Sequence, residues 1–319
     1  MALTSKDVAD RAGVSRSTVS YILNGHGDRF SATTRAAVER AVADLGYRPQ
    51  AAGRALVRGQ SDIVLLVLPH AAGGRINEII DALTAALAAE GLALLLRSAT
   101  AAPDTFPAMV AAVRPRAVVN LTELSGHELA VLDSAGTRVV DVARAASRPQ
   151  GSNWAVGRLQ VAHLVAQGHR RVAYARLAEA GADSLLASRE GGVREACREA
   201  ALPDPQVVTV ALRADADLDA VAALPAGTAV ACFNDETAAA ALGAARVLAR
   251  EVPGDLAFIG VDDSPVAAQT HPRLTTIGYD IAAQALAIAR AVVAEDDPAY
   301  EELDVQTVRT LRVVEGGTA

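Results

Sequence analysis

Three polar side chains with different hydrogen-bonding chemistry lie close together near the start of the chain. Arg16 and Ser17 are adjacent, and Tyr21 follows about one helical turn later. An arginine can donate two hydrogen bonds to guanine, and a serine hydroxyl can bond several base edges. Small polar side chains suited to phosphate oxygens stand in the same stretch, at Thr18, Ser20 and Asn24. This stretch therefore has the side chains needed to recognise a DNA sequence, provided that a helix presents them together.

A helix-turn-helix is predicted for the segment that carries these side chains. Thr4 can cap a first helix, with Asp7 reaching back to it as in a capping box. Gly13 suits the left-handed conformation that ends a helix, and Ser15 can cap the next one. The inner faces would be apolar, with Val8, Ala9 and Ala12 from the first helix and Val19, Ile22 and Leu23 from the second. In this motif the second helix enters the major groove of DNA.

A third helix and the distribution of charge support the same interpretation. The helix is expected to start near Ser31 or Ala32, to end at Gly46, and to bury one face made of Val38, Ala41, Val42 and Leu45. Residues 1–60 hold nine Arg or Lys and five Asp or Glu, a net charge of +4, whereas the remainder has a net charge of −11. A basic head on an acidic body indicates a nucleic-acid-binding end rather than a merely solvated helical bundle.

Five short motifs follow one another in this region: Asp7-Val8-Ala9, Ala12-Gly13-Val14-Ser15, Thr18-Val19-Ser20, Leu23-Asn24-Gly25 and Leu45-Gly46-Tyr47-Arg48-Pro49. In order and spacing they resemble the head of the lactose/purine repressor family (LacI/GalR type) of bacterial transcription regulators. The resemblance implies a hinge helix after Pro49 that forms on operator DNA, where Leu56 would wedge between central base pairs in the minor groove. Gln50 stands where the family usually has Asn. Gly53 stands where Ala is usual, and a Gly weakens a helix by roughly 0.5–1 kcal/mol relative to Ala.

These arguments define the expected DNA-contacting residues and the division of the chain. The DNA-contacting set is Thr4, Ser15, Arg16, Ser17, Thr18, Ser20, Tyr21, Asn24, Tyr47, Arg54 and Leu56. Residues 1–46 are assigned to the helix-turn-helix domain, 47–60 to the hinge helix and 61–319 to an effector-binding and dimerisation domain. A homodimer is expected, because a two-fold-symmetric protein matches a pseudo-palindromic operator.

Strands alternate with helices from residue 61 onwards. The apolar run Ile63–Leu68 is typical of a buried parallel strand. Further strands are predicted at residues 92–96, 117–121, 138–142, 171–175, 207–210, 229–233 and 256–261, with two short ones at 305–308 and 311–314. Helices are predicted at 76–90, 106–113, 127–135, 154–167, 189–200, 218–224, 235–250 and 281–294. This alternation favours parallel sheets with helices on both faces, arranged as lobe one (about 61–148 plus 280–302) and lobe two (about 149–279 plus 303–319).

Several motifs of the second lobe also match the family: Ala162-His163-Leu164, Gly168-His169-Arg170-Arg171-Val172, Asn234-Asp235, Val252-Pro253, Gly260-Val261-Asp262-Asp263 and Leu274-Thr275-Thr276. The resemblance implies an α/β fold with an all-α helix-turn-helix head and a two-lobed body like the type I periplasmic sugar-binding proteins. The family's effector contacts carry over to Arg189, Asn234, Asp262 and Tyr279. Two family patterns differ here. The segment from His70 to Arg75 replaces Asn-Pro-Phe-Phe, and Ser152-Asn153 replaces Asp-Asn, which leaves the class of effector open.

Ligands of open α/β sheets bind beyond the carboxyl ends of the strands. Those ends offer His70, Ser98, Asn120, Thr122, Asp141, Asn234, Asp235, Asp262 and Asp263. Arg189 is predicted to open a helix and to clamp a hydroxyl pair or a carboxylate. The expected effector-binding set is His70, Asn153, Arg189, Asn234, Asp262 and Tyr279.

Several of these residues also have structural interpretations. Asp235 is preferred as a helix N-cap, and turn or cap roles remain open for Asp263, Asn153 and His70. Packing is favoured for Trp154, the only Trp, over a stacking platform. A scaffold role is preferred for His163 and His169.

Other classes of protein lack support in the sequence. No long apolar stretch is free of charge, and Lys6 and Asp7 interrupt the apolar core that a signal peptide needs, so a cytoplasmic protein without a membrane partner is expected. Cys197 and Cys232 are expected to be buried free thiols. No phosphate-binding Gly loop, Ser elbow, zinc-site spacing or cofactor motif is present, so neither catalysis nor a metal is expected. The pair Asp262-Asp263 could hold a cation only with further acidic ligands.

The sequence therefore predicts a ligand-responsive transcription regulator, most simply a repressor, whose cleft binds a sugar-like or nucleoside-like effector. The alternative is a constitutive DNA-binding protein whose body is an effector-free dimerisation scaffold. Induction and co-repression remain equally open, as do dimer and tetramer.

Overall fold

The computed structural model describes residues 3–23, 27–47, 59–69, 75–99, 104–178, 184–212, 218–294 and 300–319. The chain divides into two compact units, Met1–Asp62 with Ala112–Pro115 (the head) and Ile63–Ala111 with Arg116–Ala319 (the body). Some residues named above lie outside the described ranges: Asn24, Gln50, Gly53, Arg54, Leu56 and His70. Within those ranges, no helix is long and apolar enough to cross a membrane.

The described residues of the head form three helices and a short 3-10 turn. Their bounds are Ser5–Ala12 (α1), Arg16–Leu23 (α2), Gly27–Arg29 (the 3-10 turn) and Ala32–Leu45 (α3). Val8, Val19 and Val38, one from each helix, are fully buried and pack in one cluster. The helix-turn-helix and its predicted core are therefore confirmed.

The residues predicted to cap these helices do so. The backbone N–H and the hydroxyl of Thr4 donate to Asp7 Oδ2 at 2.7 and 2.8 Å. The backbone N–H of Thr18 donates to Ser15 Oγ at 3.0 Å, which satisfies a donor that would otherwise be open at the start of α2. Gly13, with a φ of 68°, ends α1. These caps fix where α2 begins and thus which side chains occupy its first turn.

A four-stranded parallel sheet in the order β2-β1-β3-β4 forms the first lobe of the body. The strands are Ile63–Leu68 (β1), Ala93–Ser98 (β2), Ala117–Asn120 (β3) and Arg138–Asp141 (β4). The helices are Ile76–Ala89 (α4), Thr105–Val113 (α5), Gly126–Ser134 (α6) and Val142–Ser147 (α7), joined by Ile281–Val293 (α13). Val64 and Leu66 pack with α4 and α13, whereas Leu65 and Val67 pack with α5 and α6. The strand β1 is thus buried on both faces, as its apolar run predicts.

A six-stranded sheet in the order β10-β9-β8-β7-β5-β6 forms the second lobe, and only its β10 edge strand is antiparallel within the described pairings. The strands are Arg171–Leu177 (β5), Gln206–Val210 (β6), Thr228–Cys232 (β7), Leu256–Val261 (β8), Thr275–Gly278 (β9) and Arg312–Val314 (β10). The helices are Ser152–Ala166 (α8), Ser184–Glu199 (α9), Leu218–Ala222 (α10), Asp235–Val247 (α11) and Pro265–Gln269 (α12). The helix Tyr300–Thr310 (α14) packs mainly against α7 and α13 of the first lobe and also contacts α8. The predicted two-lobed α/β body is confirmed.

Several predicted bounds differ from the structure, and one predicted strand is wrong. The strand predicted through residue 142 ends at Asp141, because the Asp141 carboxylate accepts the backbone N–H of Arg144 at 3.0 Å and starts α7. Residues 305–308, predicted as a strand, belong to α14. Their β-branched composition was misleading, whereas the burial of Asp304 and Thr307, three residues apart, has the helical period.

The N-cap of α11 is Asn234 and not Asp235, which corrects a further prediction. Asn234 Oδ1 accepts the backbone N–H and the hydroxyl of Thr237 at 2.9 and 2.6 Å. The buried Asp235 carboxylate instead accepts the backbone N–H of Ser264 at 2.7 Å and the Thr276 hydroxyl at 2.5 Å. Asp235 therefore ties the carboxyl end of β7 to the segment after β8 and to β9. Burial raises the pKa of Asp235 to about 7.

A close crossing of α8 and α9 positions the side chains of the second lobe. A Cβ on Gly157 would overlap the backbone carbonyl oxygen of Arg189, and one on Gly192 would overlap that of Trp154. The two helices therefore meet backbone to backbone, which requires glycine at both positions. This crossing fixes how Asn153, near the start of α8, faces Arg189 on α9.

We expect Gly157→Ala to destabilise the body by about 1–3 kcal/mol, because the added methyl must force α8 and α9 apart. Gly243→Ala is the matched control. Gly243 lies in α11 with open space around it, so alanine there should stabilise the helix by about 0.5–1 kcal/mol. Urea unfolding followed by circular dichroism measures both. Equal effects of the two substitutions would contradict the close crossing.

We also expect Asp235 to make stability depend on pH. The ordinary pKa of its carboxyl group is 3.8, and in the folded protein the pKa is about 7. Between pH 3.8 and 7 the folded protein therefore keeps this carboxyl protonated, whereas the unfolded chain has released the proton. The resulting stabilisation is complete below the ordinary value and disappears as the pH rises through 7. Asp235→Asn should flatten the decline of the urea midpoint between about pH 4 and 7. If the urea midpoint of Asp235→Asn fell with pH as steeply as that of the wild type, the raised pKa of Asp235 would be contradicted.

Candidate nucleic-acid interface and effector cleft

The second helix of the head presents its predicted DNA-reading side chains outward. Arg16 and Ser17 are exposed in the first turn of α2, and the Tyr21 side chain is 46% exposed one turn later. Val19, on the opposite side of the helix, is fully buried. The structure therefore places Arg16, Ser17 and Tyr21 on the solvent side of α2, where a DNA groove would be reached.

The small hydroxyl side chains around this helix have local partners. Ser15 Oγ lies 2.7 Å from Ser17 Oγ and 2.8 Å from Thr18 Oγ1. Thr18 and Ser20 are half-buried, and Ser15 is exposed at the cap. A hydroxyl can accept one bond and donate another, so these groups keep the capacity to bond a phosphate oxygen.

Two other predicted DNA contacts lie at the edges of the head. Thr4 is exposed and is engaged with Asp7 at the start of α1. Tyr47 is half-buried, packs against the apolar cluster of the head, and donates its backbone N–H to Val42 O at 3.0 Å. The remaining predicted contacts, Asn24, Arg54 and Leu56, fall outside the described residues.

A cleft of about 180 Å³ lies in the body and is lined by both lobes. Five of the six predicted effector residues line it together: Asn153, Arg189, Asn234, Asp262 and Tyr279. His70 falls outside the described residues. Aliphatic side chains make most of the rest of the wall: Ile76, Ile79, Leu121, Val142, Val156 and Leu185. A mostly apolar cleft with a few convergent polar groups is typical of small-molecule sites.

The Arg189 guanidinium is held rigidly at one wall of the cleft. Arg189 lies in the second turn of α9, which begins at Ser184, and not at the helix start as predicted. Its Nη2 donates to Asn153 Oδ1 at 2.6 Å, its Nη1 donates to the carbonyl oxygen of Phe233, and the guanidinium lies 4.8 Å from the centre of the Phe233 ring. Nε is buried without a partner among the described residues. These contacts aim a fixed positive charge into the cleft.

The other polar groups of the cleft supply hydrogen-bond acceptors and donors. The Tyr279 hydroxyl points at Asp262 Oδ1, 3.5 Å away. Asp262 has a φ of 105°, an unusual conformation for a residue with a side chain, and burial raises its pKa. The Asn234 side-chain oxygen is occupied by the cap of α11, so Asn234 offers its amide nitrogen to a ligand.

Arg75 is a cleft residue that the sequence analysis did not identify. Its Nε and Nη2 bind Glu78 Oε2 at 3.0 and 2.6 Å. Its Nη1 donates to the backbone oxygens of Asp262 and Tyr279 at 3.3 and 3.5 Å. Arg75 thus links the first lobe to the residues that directly follow β8 and β9 of the second lobe. The only available signal was its place just before a predicted helix. Ser152, Gln284 and Thr307 also line the cleft and were missed.

The other strand-end residues that the structure describes do not line the cleft. Asn120 Nδ2 donates to Asp141 Oδ1 at 3.0 Å, and Asp141 caps α7. Asp263 Oδ2 forms an ion pair with Arg312 Nη2 at 3.5 Å. Asp235 is tied into the sheet as described above.

Trp154 and the cysteines have structural surroundings. Trp154 Nε1 donates to Glu195 Oε2 at 2.5 Å, and its ring lies against Gly191, away from the cleft lining. Cys197 and Cys232 are free and buried, and burial raises the pKa of Cys197 to about 11. Across the described ranges, no three His, Cys, Asp or Glu side chains cluster as metal ligands.

Comparisons with known proteins match both units of the chain. Residues 4–50 match the family of bacterial regulatory proteins called lacI, and residues 161–319 match the periplasmic binding protein-like domain. Among curated relatives, the transcriptional regulator CelR of Thermobifida fusca is 31% identical, and the match covers 91% of each chain. The regulator GalR of Escherichia coli K12 is 29% identical over 92% of this chain and 89% of its own.

Solved structures share the fold over almost the whole chain. The lac repressor dimer bound to operator and the anti-inducer ONPF has a TM-score of 0.76 at 21% identity, covering 100% of this chain and 99% of that one. The transcriptional regulator CelR–cellobiose complex has a TM-score of 0.64 at 24% identity, covering 99% and 100%. The chain therefore belongs to the lacI family of bacterial regulatory proteins, and it is a DNA-binding transcriptional regulator and not an enzyme.

Proposed function

We propose that this regulator represses transcription by binding a pseudo-palindromic operator as a homodimer, under control of a small effector in the cleft. The observation that carries the proposal is the cleft itself. It gathers Asn153, Arg189, Asn234, Asp262 and Tyr279 from separate elements against a largely aliphatic wall. Such a regulator acts where the bacterial chromosome lies, so we assign it to the cytoplasm.

Operator recognition is assigned to the exposed face of α2. Arg16, Ser17 and Tyr21 would contact base edges in the major groove, with the surrounding hydroxyls on phosphates. The hinge contacts, Arg54 and Leu56, rest on the sequence resemblance alone, with Leu56 as the minor-groove wedge.

The edge strand β2 supports a dimer. The side chains of Leu95 and Leu96 are 37% and 46% exposed, and β2 pairs only with β1 among the described strands. An exposed apolar edge strand invites a partner. A second copy of this chain is the partner we propose, and the similar lac repressor structure is a dimer.

A sugar-like effector fits the balance of groups in the cleft. Arg189 and the Asn234 amide can donate to hydroxyl oxygens, Asp262 can accept from them, and the aliphatic wall suits the carbon face of the molecule. The similar CelR structure is a cellobiose complex. A nucleoside-like effector is the second member of the proposed class. Effector binding would change the relation between the lobes and thereby the affinity for DNA, a coupling of two sites.

A constitutive regulator with an effector-free body is the second candidate. The observation that favours it is Arg75, which already links the two sides of the cleft through Asp262 O and Tyr279 O without any ligand. In that case the body would serve only to hold two heads together.

Selection of bound duplexes from a random DNA pool tests operator recognition. We expect enrichment of a sequence with two-fold symmetry. Arg16→Ala should then lose about 1–3 kcal/mol on the selected duplex and relax the preference at one base pair in each half-site. Equal losses on selected and random duplexes would exclude base recognition by Arg16.

Thermal-shift titration with sugars, disaccharides including cellobiose, and nucleosides tests the cleft. A ligand of the native state should raise the melting temperature. Arg189→Gln should weaken the best ligand about 10- to 100-fold, because a charged hydrogen bond is lost. Arg158→Gln is the matched control, since Arg158 pairs with Glu195 and Glu199 outside the cleft lining. No shift with any compound, despite operator binding, would favour the scaffold.

A further inference from the structure

A cationic side chain lies against the exposed ring of the recognition helix. Tyr21, at the end of the reading face of α2, is nearly half exposed. The Arg29 guanidinium lies 5.9 Å from the centre of the Tyr21 ring, within the range of a cation–π contact. The Phe30 ring lies 6.3 Å from the same ring, at 41° to it. Tyr21 therefore has ring contacts with two consecutive residues that follow α2.

The turn that supplies Arg29 is itself fixed to the third helix. Arg35 Nη1, from α3, donates to Asp28 Oδ1 at 3.2 Å and to Gly27 O at 3.5 Å. The backbone N–H of Phe30 donates to Gly27 O at 2.9 Å and closes the turn. A Cβ on Gly27 would come within 3.0 Å of Arg35 Cδ, so glycine allows this approach. Arg29 thus starts from a backbone with a defined position in the head.

We propose that Arg29 is a positioning residue that holds the Tyr21 ring and thereby sets the base preference that Tyr21 confers. The inference rests on the proposed operator recognition. A phenol can discriminate between bases only if its hydroxyl and ring edge have a fixed direction. An unsupported tyrosine on a surface helix turns about two side-chain torsions, and the contacts to Arg29 and Phe30 restrict that rotation.

The alternative role for Arg29 is a direct contact to phosphate. The two roles predict different measurements. A phosphate contact contributes to all DNA sequences and to the salt dependence of binding. A positioning contact contributes to the choice of base and acts only through Tyr21.

Random-pool selection with the full chain, compared between wild type and variants, separates these roles. At the base pair read by Tyr21, we expect Arg29→Ala to reduce the enrichment of the preferred base over the others by about two- to five-fold. This is the effect of losing one exposed cation–π contact. Preferences at the Arg16 and Ser17 positions should stay. Arg40→Ala is the matched control, because Arg40 is an exposed arginine on α3 and its loss removes the same charge. Arg29→Lys, which keeps a cation, should retain most of the preference, and circular dichroism verifies that each variant is folded.

A double-mutant comparison completes the test. With Tyr21→Ala already present, Arg29→Ala should cause no further change in base preference. The inference is overturned if Arg29→Ala leaves the preferences intact. It is equally overturned if that variant weakens selected and random duplexes alike, with the slope of log affinity against log salt reduced by about 0.9. Failure of the wild type to enrich any sequence would instead reject the proposed operator recognition, and this inference with it.

Discussion

The close crossing of α8 and α9 is the constraint on which the cleft depends. Gly157 and Gly192 let the two backbones touch, and this brings the start of α8 beside the second turn of α9. Asn153 and Arg189 meet there at 2.6 Å. Larger residues at either glycine would separate the helices and move the guanidinium away from its amide partner. A pair of residues with no polar side chain therefore determines the geometry of the most polar wall of the cleft.

Burying the Arg189 guanidinium costs free energy, and this cost suggests that the charge serves to bind a ligand. The side chain is 9% exposed, and its described partners, Asn153 Oδ1 and Phe233 O, are neutral oxygens. A buried charge without a carboxylate contact is poorly compensated. The Asp262 carboxyl is near enough for Arg189 to oppose the rise of its pKa, although burial outweighs this attraction. A ligand oxygen between Arg189 and Asp262 would relieve both groups, which favours a polar ligand over an empty cleft.

The sequence predicted best those features that depend on neighbouring residues. Thr4, Ser15 and Gly13 marked the helix ends of the head, and the run Ile63–Leu68 marked a strand buried on both faces. Features that depend on tertiary contacts were missed. Asp235 resembles an N-cap locally, but its carboxylate is taken by Ser264 and Thr276 from elsewhere in the chain. Arg75 could not be assigned to the cleft either, because its partners across the cleft, Asp262 and Tyr279, lie 187 and 204 residues away.

Arg75 also bears on what the proposed effector would have to do in the cleft. A ligand shifts a conformational equilibrium only by its difference in affinity for the two states. Glu78 holds Arg75 through Nε and Nη2, so only Nη1 reaches the other side of the cleft. The Nη1 distances of 3.3 and 3.5 Å are long for hydrogen bonds, so these contacts are weak. A ligand oxygen can replace them without moving the rest of the side chain. The cost of opening the link would then be small, and most of the interaction of the proposed effector would be left to change the relation between the lobes.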